Sequence, residues 1–216
     1  MTVSIIEREA RLLVQRPAVL SAVARLRTLG EFRVVSRRRE RQRNTYLDTP
    51  AYQLRRRGAI LKLRTVGRRV EVTFKQSRGY RRGVASRLEM TSRIRPSQMA
   101  RLSRGELNLK PMRRARALIG RRALRPVVTL FTDRRVLMLA HGKHRVELDL
   151  DRVTFRKGGR IVARRDEVEV ENVTASASVF RQAIAALRKQ FRRDVRLSHV
   201  SKYAYGLRVA KAATHP

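Results

Sequence analysis

Residues 145–151 read RVELDLD, and residues 167–171 read EVEVE. Side chains alternate between the two faces of a strand. Val146, Leu148 and Leu150 therefore share one side of the first segment, and Arg145, Glu147, Asp149 and Asp151 share the other. In the second, Val168 and Val170 oppose Glu167, Glu169 and Glu171. A half-buried strand ordinarily sets neutral polar residues against its apolar ones; here the second face is charged. Three successive glutamates on one face form a like-charge ladder that needs a cation beside it.

The same grammar extends outward along the chain. ILKLR at 60–64 places Lys62 and Arg64 together, EVTFK at 71–75 groups Glu71, Thr73 and Lys75, and RLEMT at 87–91 groups Arg87, Glu89 and Thr91. Near the start, Glu7, Glu9 and Arg11 project to one side. Ten of the 17 acidic residues fall on such faces. Acids that served only to solubilise a basic protein would be scattered among its arginines. A closed antiparallel barrel accounts for the segregation, because one face of every strand must point into the lumen. A lumen lined by both signs can hold metal and anion together. The pattern leaves open an ordinary sheet whose charged faces meet water.

Apolar stripes at helical spacing predict three covering helices. They are Pro17 to Leu29, opened by proline and stopped by Gly30; Pro111 to Ile119, followed by Gly120; and about Ser178 to Phe191, aligning Phe180, Ile184, Leu187 and Phe191. No repeat and no Pro/Gly/Ser linker divides the 216 residues, so one domain over 1–209 with a tail at 210–216 is expected. The absence of cysteine excludes disulfides and thiolate ligands. A metal would have to sit on carboxylates or histidines. The histidines at 141, 144, 199 and 215 lack ligand spacing, and Asp48 in LDTP reads as a turn or cap residue. No apolar run reaches membrane-span length and no signal-peptide core follows the start, so a cytoplasmic protein without a membrane partner is expected.

The net charge is +36, from 53 basic and 17 acidic residues, and only eight of the basic residues are lysine. Such a chain attracts polyanions, with nonspecific polyphosphate or nucleic-acid binding through the basic surface as one outcome. The clusters Arg37 to Arg39, Arg41 and Arg43, and Arg55 to Arg57, read as solvent-facing. Aromatic residues make up 5% of the chain, which argues against base stacking as the main contact.

Taken in order, these segments resemble the signature motifs of the CYTH, or triphosphate tunnel metalloenzyme, superfamily. EREAR at 7–11 is similar to its ExExK motif, with Arg11 in the lysine position. NTYLDTPAYQLRRRGAILKLR at 44–64 resembles its tyrosine, DTP turn and LRxR strand. VTFK supplies Lys75, and GVASRLEM supplies Arg87 and Glu89, with Thr91 standing where many members carry another acid. Arg134, ELDLD, EVEVE and Ser201–Lys202–Tyr203 complete the series.

The resemblance implies an α+β fold on a closed eight-stranded antiparallel β-barrel, the triphosphate tunnel, with flanking helices. It implies a triphosphate or polyphosphate substrate held by Lys62, Arg64, Lys75, Arg87, Arg134 and Lys202, and Mg²⁺ or Mn²⁺ held among Glu7, Glu9, Glu89, Glu169 and Glu171. Catalytic roles fall on Glu147 or Asp151, which would orient water, and on Arg11 and Lys202. The implied activity is metal-dependent hydrolysis of a triphosphate, inorganic triphosphate being favoured. Thiamine triphosphatases, adenylate cyclases and VTC-type polyphosphate polymerases are similar tunnel enzymes. A non-catalytic polyphosphate- or nucleic-acid-binding module on the same barrel is the alternative.

Overall fold

The computed structural model describes residues 2–103, 106–157 and 159–213. Its strands are β1 (Thr2–Val14), β2 (Thr28–Leu29), β3 (Phe32–Asp48), β4 (Ala59–Val66), β5 (Arg69–Arg81), β6 (Val84–Ile94), β7 (Arg125–His141), β8 (His144–Lys157), β9 (Arg160–Asn172) and β10 (Val195–Leu197). The helices are α1 (Ala18–Arg25), α2 (Gln53–Arg56), α3 (Met99–Ser103), α4 (Lys110–Ile119), α5 (Ala177–Gln190) and α6 (Lys202–Ala212). Among the described residues no helix is long and apolar enough to cross a membrane.

Neighbouring strands follow the order β1-β6-β5-β4-β3-β7-β8-β9, and β9 pairs back onto β1. Eight antiparallel strands thus close a barrel with flanking helices, as expected. β1 makes the seam by dividing its length, pairing through residues 2–10 with β6 and through 9–13 with β9. The β5–β6 hairpin turns on Arg82 and Gly83, both at positive φ (50° and 84°). A two-residue turn of this hand requires that conformation at both positions, and glycine adopts it freely.

Alternation then sorts the side chains. Leu137, Leu139, Val146, Leu148, Leu150, Val168 and Val170 face outward, under Val19, Leu20 and Val23 of α1 and Phe180, Ala183, Ile184 and Leu187 of α5. Elsewhere Leu61, Val70, Val72 and Phe74 are covered by Met112, Ala115 and Ile119 of α4. Fully burying side chains such as Phe180 or Leu187 contributes about 1.5–3 kcal/mol each, so these covers hold the barrel shut from outside.

Two elements differ from the expectation. The first helix ends at Arg25, because Leu29 pairs with Phe32 across a turn at Gly30 and pulls residues 28–29 into the sheet. Tertiary pairing overrides helical spacing there. The second is α6, which the apolar stripes did not reveal. It begins within the Ser201–Lys202–Tyr203 motif and runs to Ala212, past the expected domain end at 209. His215 lies outside the described residues.

α6 seals one end of the barrel. Tyr46, Val128, Leu130, Val153 and Phe155 share the lumen-facing parity, yet they form an apolar cluster with Tyr203 and Leu207 of α6. The approach is close: a Cβ on Gly206 would meet Phe155 at 3.0 Å and Val128 at 3.1 Å. Tyr203 donates its hydroxyl proton to Asp48 Oδ2 over 3.0 Å. Asp48 also accepts from the backbone N–H groups of Thr49, Leu54 and Arg55, the capping role its sequence context predicts. The opposite end is a charged rim, where Arg38 pairs with Glu147 at 3.0 Å and Arg69 with Glu71 at 3.3 Å.

Candidate functional site

The lumen between plug and rim carries the charged parity of every strand. Its acidic side is built by β8, β9 and β1. Most of those carboxylates already hold a cation. Lys202 enters from the start of α6 and places Nζ 2.8 Å from Asp151 and 2.7 Å from Glu169, also pairing with Glu167. Arg134 forks onto both oxygens of Asp151 at 2.7 and 2.6 Å, reaches Glu169 at 3.0 Å, and pairs with Asp149. Arg11 donates to Glu169 at 2.9 and 2.6 Å and to Glu9 at 2.5 Å. The cations that the glutamate ladder of β9 demanded are thus supplied to Glu167 and Glu169 by Lys202, Arg134 and Arg11, with Arg165 also forking onto Glu167.

On the adjoining wall, Lys75 pairs with Glu7 at 2.5 Å and Glu89 at 2.7 Å, and Arg87 pairs with Glu9. Thr91, in the position where many family members carry an acid, hydrogen-bonds Thr73 at 2.9 Å and donates to Glu89 at 3.1 Å.

β4 is different. Lys62 is buried and, among the described residues, has no carboxylate within ion-pair distance; Arg64 has none either and donates to Asn44 at 3.1 Å. Burial, reinforced by Arg64 and Lys75, holds the Lys62 ammonium well below its ordinary pKa. In the circular strand order β4 stands four strands from β9 in either direction. Unspent positive charge therefore faces the glutamates of β9 across the lumen.

Unspent negative charge exists on the acidic side. Glu7 Oε2 and Asp149 Oδ1 are buried without a hydrogen-bond partner among the described residues. Burial raises the Glu171 pKa well above the carboxylate range, with Asp149 and Glu7 adding to it. Burial likewise raises Glu7, and it pushes Asp149 up to about 7 against the pull of Arg134. The paired acids go the other way. For Glu169 the cost of burial is outweighed by Lys202, Arg11 and Arg134, which lower it strongly; Arg134 and Lys202 outweigh burial in the same way at Asp151.

Among the described residues, three groups of carboxylates stand close enough to share an ion, with ligand oxygens within 4.8 Å: Glu7, Glu9 and Glu171; Glu147, Asp149 and Glu171; and Asp151, Glu167 and Glu169. Lys202 already occupies the third. Lys75, Arg87 and Arg11 hold Glu7 and Glu9 of the first, but the first two share Glu171, which has no cation within ion-pair distance among the described residues, so an all-oxygen site for a hard divalent cation fits the residues present.

Of the residues singled out from the sequence, Glu9, Arg11, Lys62, Arg64, Lys75, Arg87, Arg134, Glu169, Glu171 and Lys202 line one cavity. Glu7 and Glu89 sit behind Lys75, Asp151 behind Arg134 and Lys202, and Glu147 at the rim on Arg38. Sequence reasoning placed Asp149 and Glu167 on charged faces without giving them a role. It missed Gln42 and gave no role to Asn44, Tyr46 and Tyr203, which stand in the quoted motifs; all four lie in the cavity wall, where the two tyrosine rings stack at 4.9 Å. Parity with Glu147 and Asp151 was the signal for Asp149. Tyr203 was marked only by its place in the Ser201–Lys202–Tyr203 motif, since its position depends on how α6 enters the barrel.

A closed antiparallel barrel whose lumen carries both signs of charge is the architecture of the triphosphate tunnel proteins. The sequence matches the CYTH domain over residues 6–204, and the chain belongs to that family. Among solved structures it is similar to HpAC1 from Hippeastrum, a candidate adenylyl cyclase with a dominant triphosphatase activity. The two share 19% identity over 96% of each chain, with a TM-score of 0.72. A candidate adenylate cyclase from Bacillus halodurans is 21% identical over 94% of this chain and 97% of its own, with a TM-score of 0.65. A Pyrococcus horikoshii protein is 16% identical over 93% and 98%, with a TM-score of 0.58. Among proteins of curated function, none matches the sequence significantly.

Proposed function

We propose that this chain hydrolyses a linear triphosphate in its lumen with Mg²⁺ or Mn²⁺, inorganic triphosphate being the favoured substrate. The observation that carries this reading is the unspent charge. Lys62 and Arg64 lack carboxylate partners on one wall; on the other, among the described residues, Glu171 has no cation within ion-pair distance and Asp149 Oδ1 has no hydrogen-bond partner. An anion and a divalent cation together complete both walls; either alone completes one. The triphosphatase activity of HpAC1 agrees with the reading.

Substrate enters from the rim, since α6 closes the other end. Lys62 and Arg64 grip phosphate oxygens first, because they give up no ion pair to do so. Lys75, Arg87, Arg134 and Lys202 add charge from the walls while staying anchored to their carboxylates, which fixes them in place before substrate arrives. Glu7, Glu9 and Glu171, with Asp149 and Glu147 beside them, hold the divalent ion. When bound, it supplies charge neutralisation at the terminal phosphate. Glu89 and Glu169 keep the neighbouring cations oriented. Hydrolysis forms a bond from water oxygen to the terminal phosphorus and breaks the bridging P–O bond, releasing phosphate and diphosphate. Glu147, Asp149 and Asp151 are the β8 carboxylates able to orient that water. Asp151 has both oxygens committed to Arg134 and Lys202, Glu147 is held by Arg38, and Asp149 is held by Arg134 through Oδ2 while its Oδ1 has no hydrogen-bond partner among the described residues, which leaves that oxygen for the water. Arg11 keeps the positive charge of the lysine position and ties Glu9 to Glu169.

The test is phosphate release from tripolyphosphate, ATP and thiamine triphosphate with Mg²⁺, Mn²⁺ or EDTA. Release that prefers tripolyphosphate and stops with EDTA is expected. Tight retention of tripolyphosphate without release would convert the reading to a polyanion-binding module, in which the Arg11 bridge keeps metal out.

A further inference from the structure

Outside the barrel, β3, β7 and β8 present a stretch of exposed side chains that α1 borders with Leu20 and Ser21, beside Asp133, Arg135 and Arg152. Arg39, Arg41 and Arg43 of β3 stand opposite Arg135, Asp133 and Phe131 of β7, and β8 adds Arg152, Thr154 and Arg156 beside them. Every arginine in this set is exposed. Asp133 is neutralised by Arg39, which forks onto it at 2.8 and 2.5 Å. Arg41, Arg43, Arg135 and Arg156 have no carboxylate partner among the described residues. In their midst Phe131 is 39% exposed, with the Arg156 guanidinium 5.1 Å and the Arg43 guanidinium 6.0 Å from its ring centroid.

We propose that this outer face binds single-stranded nucleic acid, with phosphates along the arginine rows and a base on Phe131. The arginines alone would suit any polyanion. A partly exposed aromatic ring flanked by two guanidinium groups adds stacking surface, which a base can use and a phosphate chain cannot. Positions on one strand face repeat about every 6.8 Å and neighbouring strands lie about 4.8 Å apart, so cations and ring form a rigid grid. The convex outer face of a barrel, with no projecting helix or ribbon in this patch, offers nothing to enter a duplex groove, while unstacked bases can lie on it. The low aromatic content of the chain does not oppose this, because one ring placed among unpaired arginines is sufficient.

The test is fluorescence anisotropy of full-length protein with a labelled oligo(dT), competed by polyphosphate of equal charge. Phe131→Ala is expected to weaken oligonucleotide binding roughly 5- to 160-fold, the worth of one stacked base, and to leave polyphosphate binding and the melting temperature unchanged. Arg43→Gln with Arg156→Gln should weaken both ligands and flatten their salt dependence. Phe131→Trp should retain affinity, and as the chain's single tryptophan its emission should be quenched by the bound strand. Oligonucleotide affinity indifferent to Phe131→Ala, or an unquenched tryptophan at saturation, would overturn the proposal. So would polyphosphate displacing the oligonucleotide at least as well as unlabelled oligo(dT) does when the lumen is already saturated with tripolyphosphate in EDTA, which marks a general polyanion surface.

Discussion

The two walls of the lumen use the same residue types in opposite states. Along β1, β8 and β9 the charges are nearly all paired: Lys202, Arg134 and Arg11 bind Asp151, Glu169 and Glu9 in one connected network. On β4, Lys62 and Arg64 are held in place by the sheet and bound to no acid. A buried pair is chiefly architecture, since its attraction does little more than offset desolvation. A buried cation without a partner costs stability and is retained for a ligand. The difference separates residues that build the tunnel from residues that wait for its contents.

The largest effect should come from breaking the paired wall. Lys202→Met strands Asp151, Glu167 and Glu169 without their shared ammonium, and removing one partner of a buried pair typically costs about 3–5 kcal/mol. Urea denaturation should show that loss. A variant as stable as the wild type would mean that Arg134 and Arg11 satisfy the acids alone. On the other wall, Lys62→Met should weaken tripolyphosphate binding by about 1.5–3 kcal/mol, the worth of one hydrogen bond to a charged group, with stability unchanged or improved. Calorimetric titration alongside a melting curve checks both halves. Lost stability with retained affinity would reverse the assignment of the two walls.

Glu171 tests the acidic side where its pairing is incomplete. Burial and the neighbouring Asp149 and Glu7 hold its pKa well above the ordinary range. Glu171→Gln removes that repulsion without changing shape, so the metal-free protein should gain about 1–3 kcal/mol, the desolvation cost of an unsatisfied group. The melting shift given by Mg²⁺ should vanish in the same variant. An undiminished Mg²⁺ shift would remove Glu171 from the proposed ligand set.

What could be read from the chain alone follows from period-two alternation, which is local. ELDLD and EVEVE reveal a charged face because Val146, Leu148, Val168 and Val170 need an apolar cover, and that requirement travels with the sequence. Which charges meet is not local: Arg11 and Glu169 are 158 positions apart, and nothing near Lys62 marks it as unpaired while Lys75 is doubly paired. α6 was hidden for a related reason. Tyr203 and Leu207 pack into the end of the barrel, against residues such as Leu130 and Phe155 that by parity belong to a charged lumen. A helix that fills a barrel mouth has no partner recognisable until the barrel is closed. Phe131 follows the same logic, since its significance comes from Arg43 and Arg156, on two other strands.

The smallest expected effect concerns pH, and it distinguishes the paired acids from the unspent ones. Glu169 and Asp151 have lowered pKa values, so they contribute stability above the unfolded value that is lost as pH falls through the folded one. That loss lies at acid pH. Asp149 is raised from 3.8 to about 7, and Glu7 and Glu171 are raised too. For these the folded state binds more protons than the unfolded state, so stability falls as pH rises between the two values. Between about pH 5 and pH 7 only the raised group is still titrating, and the metal-free protein should become steadily less stable, by at most about 1.4 kcal/mol per pH unit for each differing proton. Because a divalent ion competes with protons for the same oxygens, Mg²⁺ should flatten the slope. Urea midpoints from pH 5 to pH 8, with and without Mg²⁺, measure it. A flat profile without metal would mean that the acids of β8 and β9 are as fully compensated as Asp151, and the difference between the walls would then rest on β4 alone.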